Sequence, residues 1–170
     1  MVVLRCTAKL LKRLKMGKEP IKDPEPSTTV LGDWYANIVY VDRRPLVLAI
    51  SEKSLLPLLV PARNLDQLPD HLMRALVERI QRMGLPDTVA QQEITRMDPF
   101  FYGKTASRSV LGSLNDFAYL LKTIPRVHPD WGLVDMMDSL GDTPCSPLGY
   151  QFPSEKAEEL LREGSIRVLK

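Results

Sequence analysis

The sequence predicts an α+β protein: a small, mostly antiparallel sheet with helices packed on one face, plus an irregular helical C-terminal appendage. Three observations carry that expectation. Trp34 to Asp42 alternates, with Tyr35, Asn37, Val39 and Val41 set against Trp34, Ala36, Ile38 and Tyr40, while Leu46 to Ile50 is a continuous apolar run. With a turn at Arg43-Arg44-Pro45, the two read as a β-hairpin whose second strand is central. Farther on, Val110, Leu111, Leu114, Phe117, Ala118, Leu121 and Ile124 occupy the rows of one helical face. After that helix, Pro125, Pro129, Pro144, Pro147 and Pro153 divide the chain into short pieces.

Taken in order, Val2 to Cys6 reads as a short strand. Thr7 caps a basic helix from Ala8 to about Met16, with Leu10, Leu11 and Leu14 as its buried stripe and Gly17 as its stop. Residues 17 to 30, with Pro20, Pro24 and Pro26, form a loop. Ser54 to Val60 fits a short helix or a buried strand, because Pro57 spoils both interiors, and its type stays open. Pro69 to Met83 is a helix that buries Leu72, Leu76, Val77 and Ile80 and stops at Gly84; Asp87 to Met97 is a second. Phe100 to Thr105 is a further strand, leading into the helix that Ser107 caps and Pro125 ends. Two short helices, Asp130 to Leu140 and Ser154 to Glu163, and a final strand, Ile166 to Leu169, complete the chain. The organisation expected is a single α+β domain over 1–124 and a Pro-rich appendage over 125–170 that packs on the core or reaches a partner.

At 170 residues the chain suits one domain with a real core. Cys6 and Cys145 lie far apart without a CxxC partner, which argues against a disulfide framework or a Cys-rich zinc site and fits a reducing compartment. The apolar N-terminal run is too short for a signal peptide, and no stretch is long enough to span a bilayer, so a cytoplasmic protein without a membrane partner is expected. The net charge of +2 conceals an asymmetry. Residues 1 to 22 hold Arg5, Lys9, Lys12, Arg13, Lys15, Lys18 and Lys22 against Glu19 alone, so that segment carries +6 and the remainder −4. Residues 130 to 170 hold eight acidic and four basic side chains.

Three blocks invite a comparison: Arg5-Cys6-Thr7 with Lys9-Leu10-Leu11, Leu31-Gly32-Asp33-Trp34-Tyr35-Ala36-Asn37 with Asp42-Arg43-Arg44, and Ser107-Arg108-Ser109-Val110-Leu111-Gly112-Ser113-Leu114-Asn115-Asp116-Phe117. Together, over about residues 2 to 124, they resemble a family of small bacterial proteins classed as a domain of unknown function. The resemblance implies a bacterial source and a compact domain. It carries over no activity, cofactor or catalytic residue, and the tail from 125 looks like an addition to the shared part.

Several chemistries find little support. The histidines His71 and His128 are far apart in sequence, and Asp135, Asp138 and Asp142 lack the spacing of a calcium loop, so no metal ligand is assigned. Neither GxxxxGK[ST] nor GxGxxG is present, and no cofactor is expected. Ser107, Ser109 and Ser113 near a helix start read as caps and surface hydroxyls before they read as an anion site. Cys6, beside Arg5, is first a buried structural thiol and only second a nucleophile.

The 107–124 helix carries a polar stripe, and on it Arg108, Asn115, Asp116 and Tyr119 are the candidate catalytic residues: Arg clamps a phosphate while Asp or Tyr moves a proton. The competing structural reading, which leads, has Arg108 paired with a carboxylate and Asn115 and Asp116 bonded to a neighbouring loop or turn, holding the hairpin against the helix. Lys9, Lys12, Arg13 and Lys15, with Arg43 and Arg44 at a hairpin tip, are the candidate nucleic-acid contacts. The function expected is therefore a binding or regulatory module with nucleic acid or protein as partner; the alternative is a small metal-independent enzyme acting on RNA or another phosphate-bearing substrate.

Overall fold

The computed structural model describes residues 1–16 and 25–168. The elements are β1 (Val2–Cys6), α1 (Ala8–Arg13), β2 (Trp34–Val41), β3 (Arg44–Ser51), β4 (Pro57–Pro61), α2 (Leu68–Arg82), α3 (Asp87–Arg96), β5 (Phe100–Lys104), α4 (Arg108–Val127), α5 (Leu133–Gly141) and α6 (Pro153–Val168). Short 3-10 turns occupy Leu65–Gln67 and Ser146–Leu148. The class is α+β, and the five strands form one mixed sheet in the order β4-β3-β2-β1-β5. The longer ladders, β2 with β3 and β3 with β4, are antiparallel, but β1 lies parallel to both β2 and β5. The parallel pairs follow from connectivity: a strand that leaves through a helix and returns lies parallel to its predecessor. α1 makes that crossover between β1 and β2, and α2 with α3 carries the chain from the β4 edge to the β5 edge.

Helices cover both faces of the sheet, which corrects the expectation of one covered face. Tyr35 and Tyr40 are an odd number of residues apart on a strand of unbroken register, so they point to opposite faces. The Tyr35 hydroxyl accepts from the Ser107 amide at the start of α4, 3.0 Å away. The Tyr40 hydroxyl accepts from Arg13 of α1 at 3.2 Å. Every residue of β3 from Leu46 to Ser51 is buried, as a strand covered on both sides requires.

Several boundaries also move. The hairpin turns on Asp42 and Arg43, with φ of 47° and 64°, the two left-handed residues of a tight type I′ turn, so Arg44 and Pro45 belong to β3. α1 ends earlier than Met16: Lys15 is left-handed (φ 59°), and the Met16 amide returns to Leu11 O while that of Lys15 returns to Lys12 O. Gly17, and residues 17–24 of the loop expected over 17–30, lie outside the described residues. The stretch left open at 54–60 becomes a turn and then β4, with Pro57 at its first position, where a strand tolerates proline. α4 runs through Pro125 to Val127, because a proline in the last turn forfeits a single helical hydrogen bond and the His128 amide still reaches Ile124 O at 2.8 Å. Residues 166–168 continue α6 instead of forming a strand; Leu169 lies outside the described residues.

Packing ties the ends of the chain to the sheet. Met136, Leu140, Ala157 and Leu161 of α5 and α6 join the same buried cluster as Leu4, Ile38 and Leu48 of the strands. Arg79 on α2, 5% exposed, pairs with Asp138 of α5 at 3.2 Å and donates to Ser154 of α6 at 2.6 Å. Gly141 leaves room for that guanidinium, since a Cβ there would stand 2.8 Å from Arg79 Nη2. Glu93, fully buried on α3, accepts the Val30 and Leu31 amides at 2.9 and 3.0 Å, and burial raises its pKa against the lowering effect of those bonds.

The seam between β1 and β2 is closed by Asp33, which accepts from the Val3 amide at 3.1 Å and from Arg5 Nε at 3.0 Å. Arg5 also donates to Lys104 O at the end of β5, at 3.2 Å. Replacing Asp33 leaves the buried Val3 amide without its acceptor and removes a charge-assisted bond from Arg5, together about 3 kcal/mol. Asp33→Ala is therefore expected to lower unfolding free energy by about 3 kcal/mol in urea titrations; a loss under about 1 kcal/mol would contradict a structural role for the pair.

Candidate functional site

The polar stripe of α4 is built as its periodicity requires. Ser107 Oγ accepts from the Val110 amide at 3.2 Å and starts the helix, while Val110, Leu114, Phe117 and Leu121 face the core. The opposite side leaves Arg108, Asn115, Asp116 and Tyr119 exposed. The bonds that the structural reading assigned to the first three are not made: among the described residues, Arg108, Asn115 and Asp116 enter no side-chain hydrogen bond or ion pair. α4 is held to the sheet by the packing of Val110, Leu114, Phe117 and Leu121 and by Tyr35, whose hydroxyl accepts from the amide of Ser107.

The four candidate catalytic residues do not converge on one place. Asp116 and Tyr119 line a groove of about 530 Å³, whereas Arg108 and Asn115 are not among its walls. The facing wall comes from residues 143–150, with Pro144, Cys145, Pro147 and Tyr150. That segment joins α5 to α6, so nothing local to the α4 sequence signals the contact. Cys145 is buried at the groove wall, and burial, with the Asp116 charge adding to it, pushes its thiol pKa up. A protonated thiol is a poor nucleophile. Cys6 is likewise a poor nucleophile: it is buried on β1, and desolvation pushes its thiol pKa up to about 12.

The basic residues gather on the other face. α1 starts where Thr7 Oγ1 accepts the Leu10 amide at 3.4 Å and hydrogen-bonds Asn37 at 2.6 Å, which joins the first two sequence blocks. Leu10 and Leu11 are buried, so Lys9, Lys12 and Arg13 point outward. Lys9 Nζ stands 4.9 Å from the centroid of the Tyr40 ring, and Arg13 Nη1 donates to the Tyr40 hydroxyl. Tyr40 itself is 42% exposed. Lys15 is exposed at the end of α1, and Arg43 and Arg44 are exposed at the hairpin, a few residues along from Tyr40. Tyr40 and Tyr150 are thus the aromatic residues that charge counting overlooks; the alternation of β2 was the signal for the first.

Other titratable groups serve structure. Asp138 pairs with Arg79 and Arg82, Asp135 accepts the Gly132 amide at the start of α5, and His128 stacks on Trp131 with ring centroids 3.7 Å apart. His71 is half-buried on α2 beside Arg63 and Arg74 at a shallow depression of about 370 Å³. Among the described residues no group of three or more His, Cys, Asp or Glu is placed to hold a metal ion. No helix among them is long and apolar enough to cross a membrane.

Residues 3–156 match the model of a family described as a domain of unknown function, DUF6933. The match runs past residue 124 through α5 to the first turn of α6, so the shared part extends beyond the 1–124 expected. No curated protein and no solved structure matches. Since the exposed side chains of the stripe make no internal bonds, Arg108→Ala with Asp116→Ala is expected to leave the melting curve within about 0.5 kcal/mol of wild type. Unfolding of the double variant would restore the structural reading.

Proposed function

Since the chain belongs to the DUF6933 family, whose description carries no activity, we propose from the chain's own surface chemistry that it is a non-catalytic cytoplasmic module that binds single-stranded nucleic acid. The observation that carries this reading is the exposed Tyr40 ring with Lys9 over its face and Arg13 on its hydroxyl. Single strands are held by cations that follow the phosphates and by aromatic rings on which bases stack. Here both elements meet at one surface. Lys12, Lys15, Arg43 and Arg44 extend the positive field around it.

The enzymatic alternative draws less support from the same geometry. A phosphate clamp needs Arg108 beside the proton-transfer groups, yet Arg108 does not line the groove that holds Asp116 and Tyr119. An anionic substrate entering that groove would meet a carboxylate and no cation.

Binding of a fluorescent single-stranded oligouridylate, read by anisotropy, tests the proposal. Engagement of about four phosphates gives a slope of log affinity against log salt near −3. Lys9→Ala with Arg13→Ala is expected to flatten that slope by about one to two, and Tyr40→Ala to weaken binding about tenfold at unchanged slope. No binding at low salt, or equal binding by the double variant, would overturn the reading; cleavage of the oligonucleotide lost in Asp116→Ala would establish the enzyme instead.

A further inference from the structure

The groove between α4 and residues 143–150 has a chemistry opposite to that of the α1 surface. Asp116 is the one carboxylate among its lining residues, which include no lysine, arginine or histidine. The carboxylate is exposed and, among the described residues, without a hydrogen bond or ion pair. Tyr119 on one wall and Tyr150 on the other are 71% and 73% exposed, and neither side chain has a ring or hydrogen-bond partner among the described residues. Leu120, Pro144 and Pro147 add apolar lining, and Thr143 and Ser146 add hydroxyls.

The wall that carries Tyr150 is held firmly. The Leu148 and Tyr150 amides both bond to Cys145 O, at 3.0 and 2.9 Å, and the Cys145 amide bonds to Gln151 O. Tyr150 itself sits at φ 65°, a left-handed conformation that is strained for a non-glycine residue. The fold therefore keeps a strained tyrosine facing water, where burial returns nothing to offset the strain.

Aromatic faces with a carboxylate and no competing cation select an organic cation. An apolar lining selects one carried on an aliphatic stem. The stretch of α4 from Ser113 to Leu120 is about 10 Å long, which matches roughly three residues of extended chain. We propose that this groove docks an extended basic peptide of a partner protein, with an arginine or lysine stem against Tyr119 and Tyr150 and its cation on Asp116. This mode, in which an extended peptide lies along an aromatic-lined groove, depends on charge complementarity and is independent of the α1 surface.

The test is a ¹⁵N–¹H correlation titration of the full chain with the capped peptide Ac-Ala-Ala-Arg-Ala-Ala-amide. Saturable shifts confined to the amides of 113–120 and 145–151 are expected. The norleucine counterpart should bind at least tenfold more weakly, and Asp116→Asn should lower affinity for the arginine peptide about tenfold, with its spectrum elsewhere unchanged because Asp116 is exposed and makes no internal bond. Tyr119→Ala should cost threefold or more. The proposal is overturned if no saturable shift appears, if Asp116→Asn binds as tightly as wild type, or if n-propylguanidinium alone binds as tightly as the peptide, which would mark a small-cation pocket. Shifts in these amides on concentrating the protein alone would also overturn it, by assigning the groove to a second copy.

Discussion

The ion pair between Arg5 and Asp33 is the constraint on which the arrangement of both surfaces depends. β1 has parallel neighbours on both sides, and parallel ladders are slightly weaker per residue than antiparallel ones. Asp33 closes the entry of β2 onto β1 through the Val3 amide and Arg5, while Arg5 reaches the end of β5 at Lys104 O. Gly103, paired with Arg5, keeps that crossing open: a Cβ there would stand 2.8 Å from Val3 Cγ1 and 3.9 Å from Arg5 Nη1. One side chain thus registers three strands.

The consequence is a division of labour between faces. β1 and β5 end side by side, with Cys6 opposite Lys104, and each releases a helix from the same end of the sheet. α1 turns to the Tyr40 face and α4 to the Tyr35 face. Lys9, Lys12 and Arg13 of α1 are thereby placed on the side away from the Asp116 groove. Exposed cations of α1 thus lie on one side of the sheet and the Asp116 carboxylate on the other, the difference from which ligands of opposite sign are proposed above.

Much of this was legible where a local rule governs. The α4 face and its Ser107 cap follow from periodicity and a single hydrogen-bonding side chain. The features that were missed depend on partners distant in sequence or on conformations that residue type does not announce. Arg43 takes a left-handed φ without the Asn-Gly signature of a type I′ turn, and Lys15 ends α1 where a glycine is the usual sign. The unbroken apolar run of β3 did imply cover on both faces, and the strand–helix–strand order at the N-terminus did imply a parallel pair; both signals were outweighed by the hairpin. α6 continues through Gly164 because the missing side chain lets the helix approach Val30, whose Cγ2 would be 2.5 Å from a Cβ. The groove was illegible for a plain reason: its second wall begins 22 residues after Leu121 and arrives by tertiary packing.

Asp116 and Tyr119, named from the sequence as candidate catalytic residues, lie exposed at a groove whose lining holds no cation to clamp a phosphate. The most direct measurement of the division between faces is ultraviolet crosslinking of a single-stranded RNA to the full chain, followed by mass-spectrometric mapping of the modified residues. Crosslinks centred on Tyr40 and the α1 and hairpin peptides, with none on 113–120 or 145–151, are the predicted result. Crosslinks on Tyr119 or Tyr150 would contradict it and return the nucleic acid to the α4 groove.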